Sequence, residues 1–424
     1  MMGLATPIRG RLLPVGTTAD AGVLLRARAV RAFGDGFVSV LLPLHLANLG
    51  LDTLRIGAIA TATLVGSAAL TLFVGLVAHR FPRRALLIRA SLLMTATGVG
   101  FAFIGDFWPL LIVAFVGTLN PSAGDVSVFL PTEQALLSQA AGAPHRTTLF
   151  ARYNVVGSLV AAIGALAAGL PDVVANRTGL GLETTLRGMF LLYALLGLVV
   201  LRLYRDLPPA VESAASISGR PLEQSRRVVY TLAALFSLDS FAGGFVVQSL
   251  LALWLFERFD LSIATAGTIF FWSGLLSALS QLAAPRLAAR VGLINCMVFT
   301  HLLANGFLVL AAFMPTLPLA IACLLARATL SQMDVPARQS YVMAVVVPEE
   351  RAAAASVTNV PRSLAAAAGP LPAGWLLGLS TFGWPLVVAG VGKAIYDLLL
   401  LCMFRHAPPT EDMTPSPAVR EAQM

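Results

Sequence analysis

The chain has 424 residues, of which 57% are hydrophobic and only 12% charged, with a mean hydropathy of +0.82. That balance excludes a soluble globular protein and fits a polytopic membrane protein, whose length is divided among membrane spans. The net charge of +8 is almost entirely arginine, and the arginines gather between apolar runs; this pattern fixes topology and argues against nucleic-acid binding.

Residues 1–28 read as a short cytoplasmic tail. They contain arginines but no sustained apolar core leading to a small-residue cleavage site. Apolar runs follow at roughly 29–50, 56–78, 85–105, 108–139, 148–170 and 187–204, each near or beyond the ~20 residues that a bilayer requires. Residues 206–227 are rich in Pro, Ser and charge and read as a cytoplasmic linker. Six more runs occupy roughly 228–256, 263–285, 292–313, 316–346, 352–378 and 381–404. Residues 405–424 are polar and proline-rich, as in a disordered cytoplasmic tail. The expected fold is therefore an all-α membrane protein of twelve transmembrane helices, with halves at 29–205 and 228–404.

Arg80, Arg83, Arg84, Arg89, Arg146, Arg205, Arg220, Arg286, Arg290, Arg351 and Arg405 all fall on one side of a twelve-span chain. The opposite loops hold acids such as Asp52, Asp106 and Asp260. Both termini are expected on the cytoplasmic side of the inner membrane. Trp108, Trp254, Trp375 and Trp384 lie near the opposite ends of their spans, as in an interfacial aromatic belt.

The two halves match each other at a fixed offset of 205 residues. Pro131 pairs with Pro336, Gln134 with Gln339, Arg146 with Arg351, Asn154 with Asn359, and Gly164 and Gly169 with Gly369 and Gly374. Polar and glycine landmarks matched without a gap indicate an internal duplication, so the halves should be pseudo-symmetric.

After the second run stand Gly75, His79, Arg80, Pro82, Arg83 and Arg84; after the eighth stand Ala289, Arg290 and Gly292. This loop resembles the Gly-x-x-x-Asp-Arg-x-Gly-Arg-Arg signature of the major facilitator superfamily (MFS), repeated in reduced form in the second half. His79 and Ala289 replace the acid of that signature. The resemblance covers the whole chain and implies an MFS fold, solute transport by alternating access, and a role for the loop in the conformational switch. It implies a small-molecule substrate, the lipid bilayer as surroundings and a monomeric carrier.

Ionisable residues inside the spans are the remaining signal, because a buried ion costs several kcal/mol unless it is paired. Asp35 and Asp239 occupy matching places in the first span of each half, and each is a candidate for proton coupling or substrate contact. Arg31, one turn before Asp35, is the obvious static partner for it. Glu133 and Arg338 stand at equivalent positions with opposite charge and are candidates for a gate between the halves. Arg327, Asp334, Arg338 and Asp125 are further cavity candidates, with Arg327, Asp334 and Arg338 on one helix face. Arg152, Asn154, Asn359 and Arg362 are expected to hold helix ends or halves together, although Arg362 is also placed to bind an anion. Lys393 and Asp397, four residues apart, are expected to pair. His45 and His301 are expected to pack as isolated polar groups.

No ATP-binding loop, metal cluster, catalytic constellation or cofactor motif stands out, and the three cysteines sit in apolar runs. The expectation is a proton-coupled secondary transporter. Export of small organic or amphipathic compounds is the first reading, on the premise that the cavity-facing spans are mostly apolar. Uptake of an organic anion is the alternative, on the strength of Arg327, Arg338 and Arg362. A non-transporting membrane sensor is a reading of another class, motivated by the altered signature loops.

Overall fold

In hydrocarbon every backbone N–H and C=O must find its partner within its own segment, so apolar runs of this length become helices. The computed structural model describes residues 17–77, 81–122, 127–140, 143–208, 222–347 and 350–404. Among them are seventeen α-helices and no strand.

The first half contains α1 (Ala19–Asn48), α2 (Thr53–Val77), α3 (Arg83–Phe103), α4 (Phe107–Val116), α5 (Phe129–Ala140), α6 (Ala143–Ala167), α7 (Leu170–Thr178) and α8 (Leu182–Arg205). The second half contains α9 (Arg226–Gly244), α10 (Gln248–Phe259), α11 (Ile263–Val291), α12 (Leu293–Phe313), α13 (Leu317–Ala328), α14 (Asp334–Val345), α15 (Arg351–Ala368), α16 (Pro370–Leu379) and α17 (Trp384–Phe404). They form twelve spans because five spans are broken in two: α4–α5, α6–α7, α9–α10, α13–α14 and α15–α16. Nine stretches among the described residues are long and apolar enough to cross a membrane, and α4 and α13 are shorter apolar helices.

The breaks have local causes. Pro131 and Pro336 each occupy the third position of the second helix of a broken span, α5 and α14. A proline is tolerated there because first-turn N–H groups have no partner within the helix. The duplication therefore appears in three dimensions as two spans broken at the same point.

The repeat also governs packing. A Cβ at Gly36 of α1 would lie 2.1 Å from the carbonyl oxygen of Ala161 in α6, and one at Gly164 of α6 would lie 2.1 Å from that of Phe33. In the second half a Cβ at Gly244 of α9 would lie 2.9 Å from Gly369 Cα, and one at Gly369 would lie 2.6 Å from Gly244 Cα. In each half, spans one and five thus approach backbone to backbone through glycine, as small residues permit in membranes.

The first helix starts at Ala19, ten residues before the expected span, so residues 19–28 belong to the helix rather than to a tail. The apolar residues Val23, Leu24 and Leu25 and the interleaved alanines are buried there. Of the expected aromatic belt, Trp108, Trp375 and Trp384 are exposed, but Trp254 is fully buried and donates its Nε1–H to the Thr381 carbonyl at 3.2 Å.

Candidate functional site

A cavity of about 440 Å³ lies between the two halves, halfway along the spans. The first half lines it from α1, α2 and α6, and the second half from α9 to α11, α13, α15 and α17. On the face away from the chain termini the halves are shut. A Cβ at Gly57 of α2 would lie 2.6 Å from the Pro370 carbonyl oxygen, and one at Gly374 of α16 would lie 2.4 Å from that of Thr53. Hydrogen bonds from backbone N–H groups cross between halves as well: Ser249 N–H donates to the Pro121 carbonyl at 3.0 Å, and Leu371 N–H to the side-chain Thr61 Oγ1 at 3.0 Å.

The lining departs from the expectation of a mostly apolar cavity. It carries Arg28, Arg327, Arg362 and Lys393 against one acid, Asp239, together with polar residues such as Gln281 and Gln332. Gln281 donates its side-chain amide to Gln332 Oε1 at 3.3 Å.

Each half holds a buried ion cluster, the first behind the cavity and the second reaching its wall through Asp239 and Lys393. In the first half Glu133 is completely buried and paired with Arg31. It also accepts the hydroxyls of Tyr153 at 2.5 Å and Tyr204 at 2.6 Å. The Arg31 guanidinium lies 4.2 Å from the Phe129 ring centroid, in cation–π contact. Both carboxylate oxygens are therefore satisfied, which is the condition for keeping an ion in a low-dielectric interior.

In the second half Asp239 receives Lys393 Nζ at 2.7 Å and Arg338 Nη1 at 3.4 Å. Arg338 also stands 3.5 Å from Asp334. His301 Nε2 lies 3.7 Å from Asp239, and its Nδ1 lies 2.9 Å from Asp397. Asp397, completely buried, accepts the Asn305 side-chain amide at 3.0 Å.

The two clusters correct several pairings expected from the sequence. Glu133 and Arg338 do not meet across the cavity; each is matched within its own half, to Arg31 and to Asp239. Arg31 is taken by Glu133 and forms no ion pair with Asp35. Lys393 turns to Asp239 rather than to Asp397, because Asp397 faces His301 and Asn305. His301 is not isolated but bridges two acids. Arg362 lies on the cavity wall instead of at a helix end, and its Nε–H donates to Ser240 Oγ at 3.0 Å. Asn154 and Asn359 are exposed, and Arg152 is half-buried with its Nη1 lacking a hydrogen-bond partner.

Asp35 is buried in α1 within the electrostatic field of Arg31 and Arg28, with no hydrogen bond or ion pair among the described residues. Asp334 and Arg338 share a face of α14 as expected. Arg327 belongs to the separate helix α13 and opens onto the cavity.

At the switch loop, Gly75 lies in α2 and Arg83 begins α3. Arg84 Nη2–H donates to the Arg205 carbonyl at 2.7 Å, tying the third span to the end of the sixth. Arg290 is exposed at the end of α11. Gly292 turns the chain into α12 with φ +87°, a left-handed conformation that glycine adopts without steric penalty. Asp125, His79 and Arg80 lie outside the described residues. Arg28 is the charged lining residue of this cavity that sequence reasoning missed. It fell in the assumed tail, and the signal for it was the buried apolar pattern that precedes it.

The sequence model of the Major Facilitator Superfamily matches residues 24–331 and, in a second match, 233–422. An uncharacterized membrane protein of Saccharomyces cerevisiae is 24% identical over 421 residues, which cover 91% of this chain and 94% of that protein. Among solved structures, the nucleoside transporter NupG is similar with a TM-score of 0.70 and 15% identity, covering 92% of this chain and 100% of that one. A bacterial homolog of the human lysosomal transporter Spinster, in an inward-facing and occupied conformation, has a TM-score of 0.70 and 14% identity over 94% of this chain and 96% of its own. The human organic anion transporter MFSD10 has a TM-score of 0.63 and 18% identity over 90% of this chain and 98% of its own.

Proposed function

Because the chain belongs to the major facilitator superfamily of multi-pass membrane transporters, we propose that it is a proton-coupled secondary transporter that moves a small polar solute by alternating access. The observation that carries this reading is the cavity between the halves, shut at the face away from the termini by the Gly57–Gly374 contact. A central site enclosed by two rocking halves needs one sealed face at a time. The arginine distribution supports placing the termini and the linker on the cytoplasmic side of the inner membrane; in that orientation the seal is external and the cavity loads or unloads from within.

The arginines, lysine and glutamines of the lining favour a polar metabolite over an amphipathic compound. Asp35 supplies the coupling proton site. A carboxyl buried in a span, with no ion-pair partner among the described residues, is a site where a proton is taken up or released as water reaches it from one side or the other. Asp239, on the cavity wall, responds to the bound solute through Lys393.

The test uses protein in liposomes with a trapped pH-sensitive dye, an imposed pH gradient and pooled metabolites. Substrate-dependent proton flux in the wild type, lost in Asp35→Asn, is the expected result. Solute movement without proton flux, surviving in Asp35→Asn, overturns the coupling and leaves a uniporter or exchanger. No solute movement by folded wild-type protein leaves the non-transporting sensor.

A further inference from the structure

The pairing of charges around the cavity is incomplete in a particular way. Glu133 is matched by Arg31, and Asp239 and Asp334 share Lys393 and Arg338. Asp397 is matched by His301 and Asn305. Two cavity arginines remain: Arg28 on α1 and Arg327 on α13. Neither forms an ion pair among the described residues, and the Nε of each is buried without a hydrogen-bond partner. Arg28 is only 8% exposed, so its guanidinium is held inside the protein rather than trailing in water. Asp35, on the same helix, makes no ion pair with it.

The chain makes room for this arrangement. A Cβ at Gly157 of α6 would lie 2.5 Å from Arg28 Nε, so the glycine opens the berth that the guanidinium occupies. Arg362, on the same wall, hydrogen-bonds to Ser240 and adds a third positive charge. An unpaired buried cation is costly, and the cost is relieved when an anion occupies the space between such cations.

From this geometry we infer that the cavity binds a solute bearing two negative charges, a dicarboxylate or the dianion of a phosphomonoester, with negative charge directed to both Arg28 and Arg327. The inference gives a substrate class to the transport reading above, but its binding step stands on the cavity alone. The volume of about 440 Å³ lies within the ~300–1,000 Å³ of small-molecule sites, enough for a compact metabolite. Because the two arginines come from opposite halves, the dianion also joins them. It neutralises two charges that have no ion-pair partner among the described residues, Arg28 lying 5.3 Å from the Tyr153 ring centroid in cation–π contact, and so favours the state in which both halves close around it.

The experiment measures the thermal midpoint of the purified full-length protein with succinate, phthalate and phenyl phosphate. Benzoate serves as the monoanion, succinamide as the uncharged analogue, and sodium chloride as the ionic-strength control. The three dianions should raise the midpoint, benzoate less, and succinamide not at all. Arg28→Gln and Arg327→Gln should each weaken the apparent affinity about tenfold or more, as loss of a charge-assisted hydrogen bond does. Arg28→Lys and Arg327→Lys keep the charge but not the fork, and should lose less. The inference is overturned if no dianion shifts the wild-type midpoint beyond the salt control. It is also overturned if benzoate matches the dianions, or if the shift survives in both Gln variants. These outcomes are separate from the liposome assay, where proton flux driven by an uncharged solute would leave the transport reading intact while this inference failed.

Discussion

Lys393 Nζ stands 2.7 Å from Asp239 Oδ1, joining the last span of the chain to the first span of its second half. The lysine is the only one in the sequence, and both groups line the cavity. A pair in that position is stable when the cavity is empty and is open to competition when an anion enters.

Asp239→Asn should therefore remove coupled transport and also destabilise the fold by about 3–5 kcal/mol, because Lys393 and Arg338 are left buried with too little negative charge. The double variant Asp239→Asn/Lys393→Gln should recover much of that stability without recovering coupled transport, since removing both partners of a buried pair is close to neutral. Thermal midpoints and liposome proton flux, measured on the three proteins, separate the two effects. Equal midpoints for wild type and Asp239→Asn would show that the pair contributes nothing to the fold.

The first-half cluster predicts a different pattern. Glu133 is completely buried behind the cavity and holds Arg31 and two tyrosines. Glu133→Gln should lower stability by about 3–5 kcal/mol by stranding Arg31. Tyr204→Phe, which removes one neutral donor from a buried carboxylate, should cost about 1–3 kcal/mol. Denaturation followed by Trp fluorescence measures both, and a smaller loss for Glu133→Gln than for Tyr204→Phe would contradict the assignment of the arginine.

The architecture was readable because it is written in long-range regularities: apolar runs of membrane length, arginines on alternate loops and an offset of 205 residues. The ionisable residues were readable as a set, because charge in an apolar span is conspicuous. Their partners were not. Spacing on one helix suggested Arg31 with Asp35 and Lys393 with Asp397, yet each of these residues sits where a neighbouring helix offers a better-placed group. Arg31 turns to Glu133 across 102 positions and Lys393 to Asp239 across 154. Such distant pairing depends on how the helices are rotated, which a single sequence does not encode locally.

Glycine closes the face away from the termini, so bulk there should hold it open. A Cβ at Gly374 would lie 2.4 Å from the Thr53 carbonyl oxygen and 3.0 Å from Gly57 Cα, both backbone atoms with little freedom to move. Gly374→Val should favour the conformation open on that face and abolish transport. In a background with Cys296, Cys323 and Cys402 replaced by Ser, a cysteine introduced in place of Val247 reports access. A membrane-impermeant thiol reagent applied from that face should modify it several-fold faster once Gly374→Val is added. Unchanged modification would mean that the glycine contact is not the seal.

One pH effect lies outside the membrane. Glu350, just before α15, accepts the backbone N–H groups of Glu223 at 2.9 Å, Gln224 at 2.9 Å and Ser225 at 3.0 Å, and so ties the end of the linker to the eleventh span. The N–H of Glu223 above all, helped by those of Ser225 and Gln224, brings its carboxyl down to about 2. A depressed carboxylate stabilises the docked linker fully above its ordinary value of about 4.5, and that contribution is lost as pH falls from there towards 2. Amide exchange at residues 223–225, corrected for the intrinsic rate, should be protected at pH 6 and lose protection below pH 4. Glu350→Ala should be unprotected at both, and wild-type protection that ignores pH would contradict the anchor.

The first and fourth spans of each half share a buried ion pair, and the sign is inverted between halves. The cation is on span one and the acid on span four in the first half, Arg31 with Glu133; in the second half the acid is on the first span and the cation on the fourth, Asp239 with Arg338. The halves are thus related in backbone but antisymmetric in charge. A chain built from two copies of either half would keep the helices and lose the asymmetry. Each half thus has its own polarity at the same pair of spans.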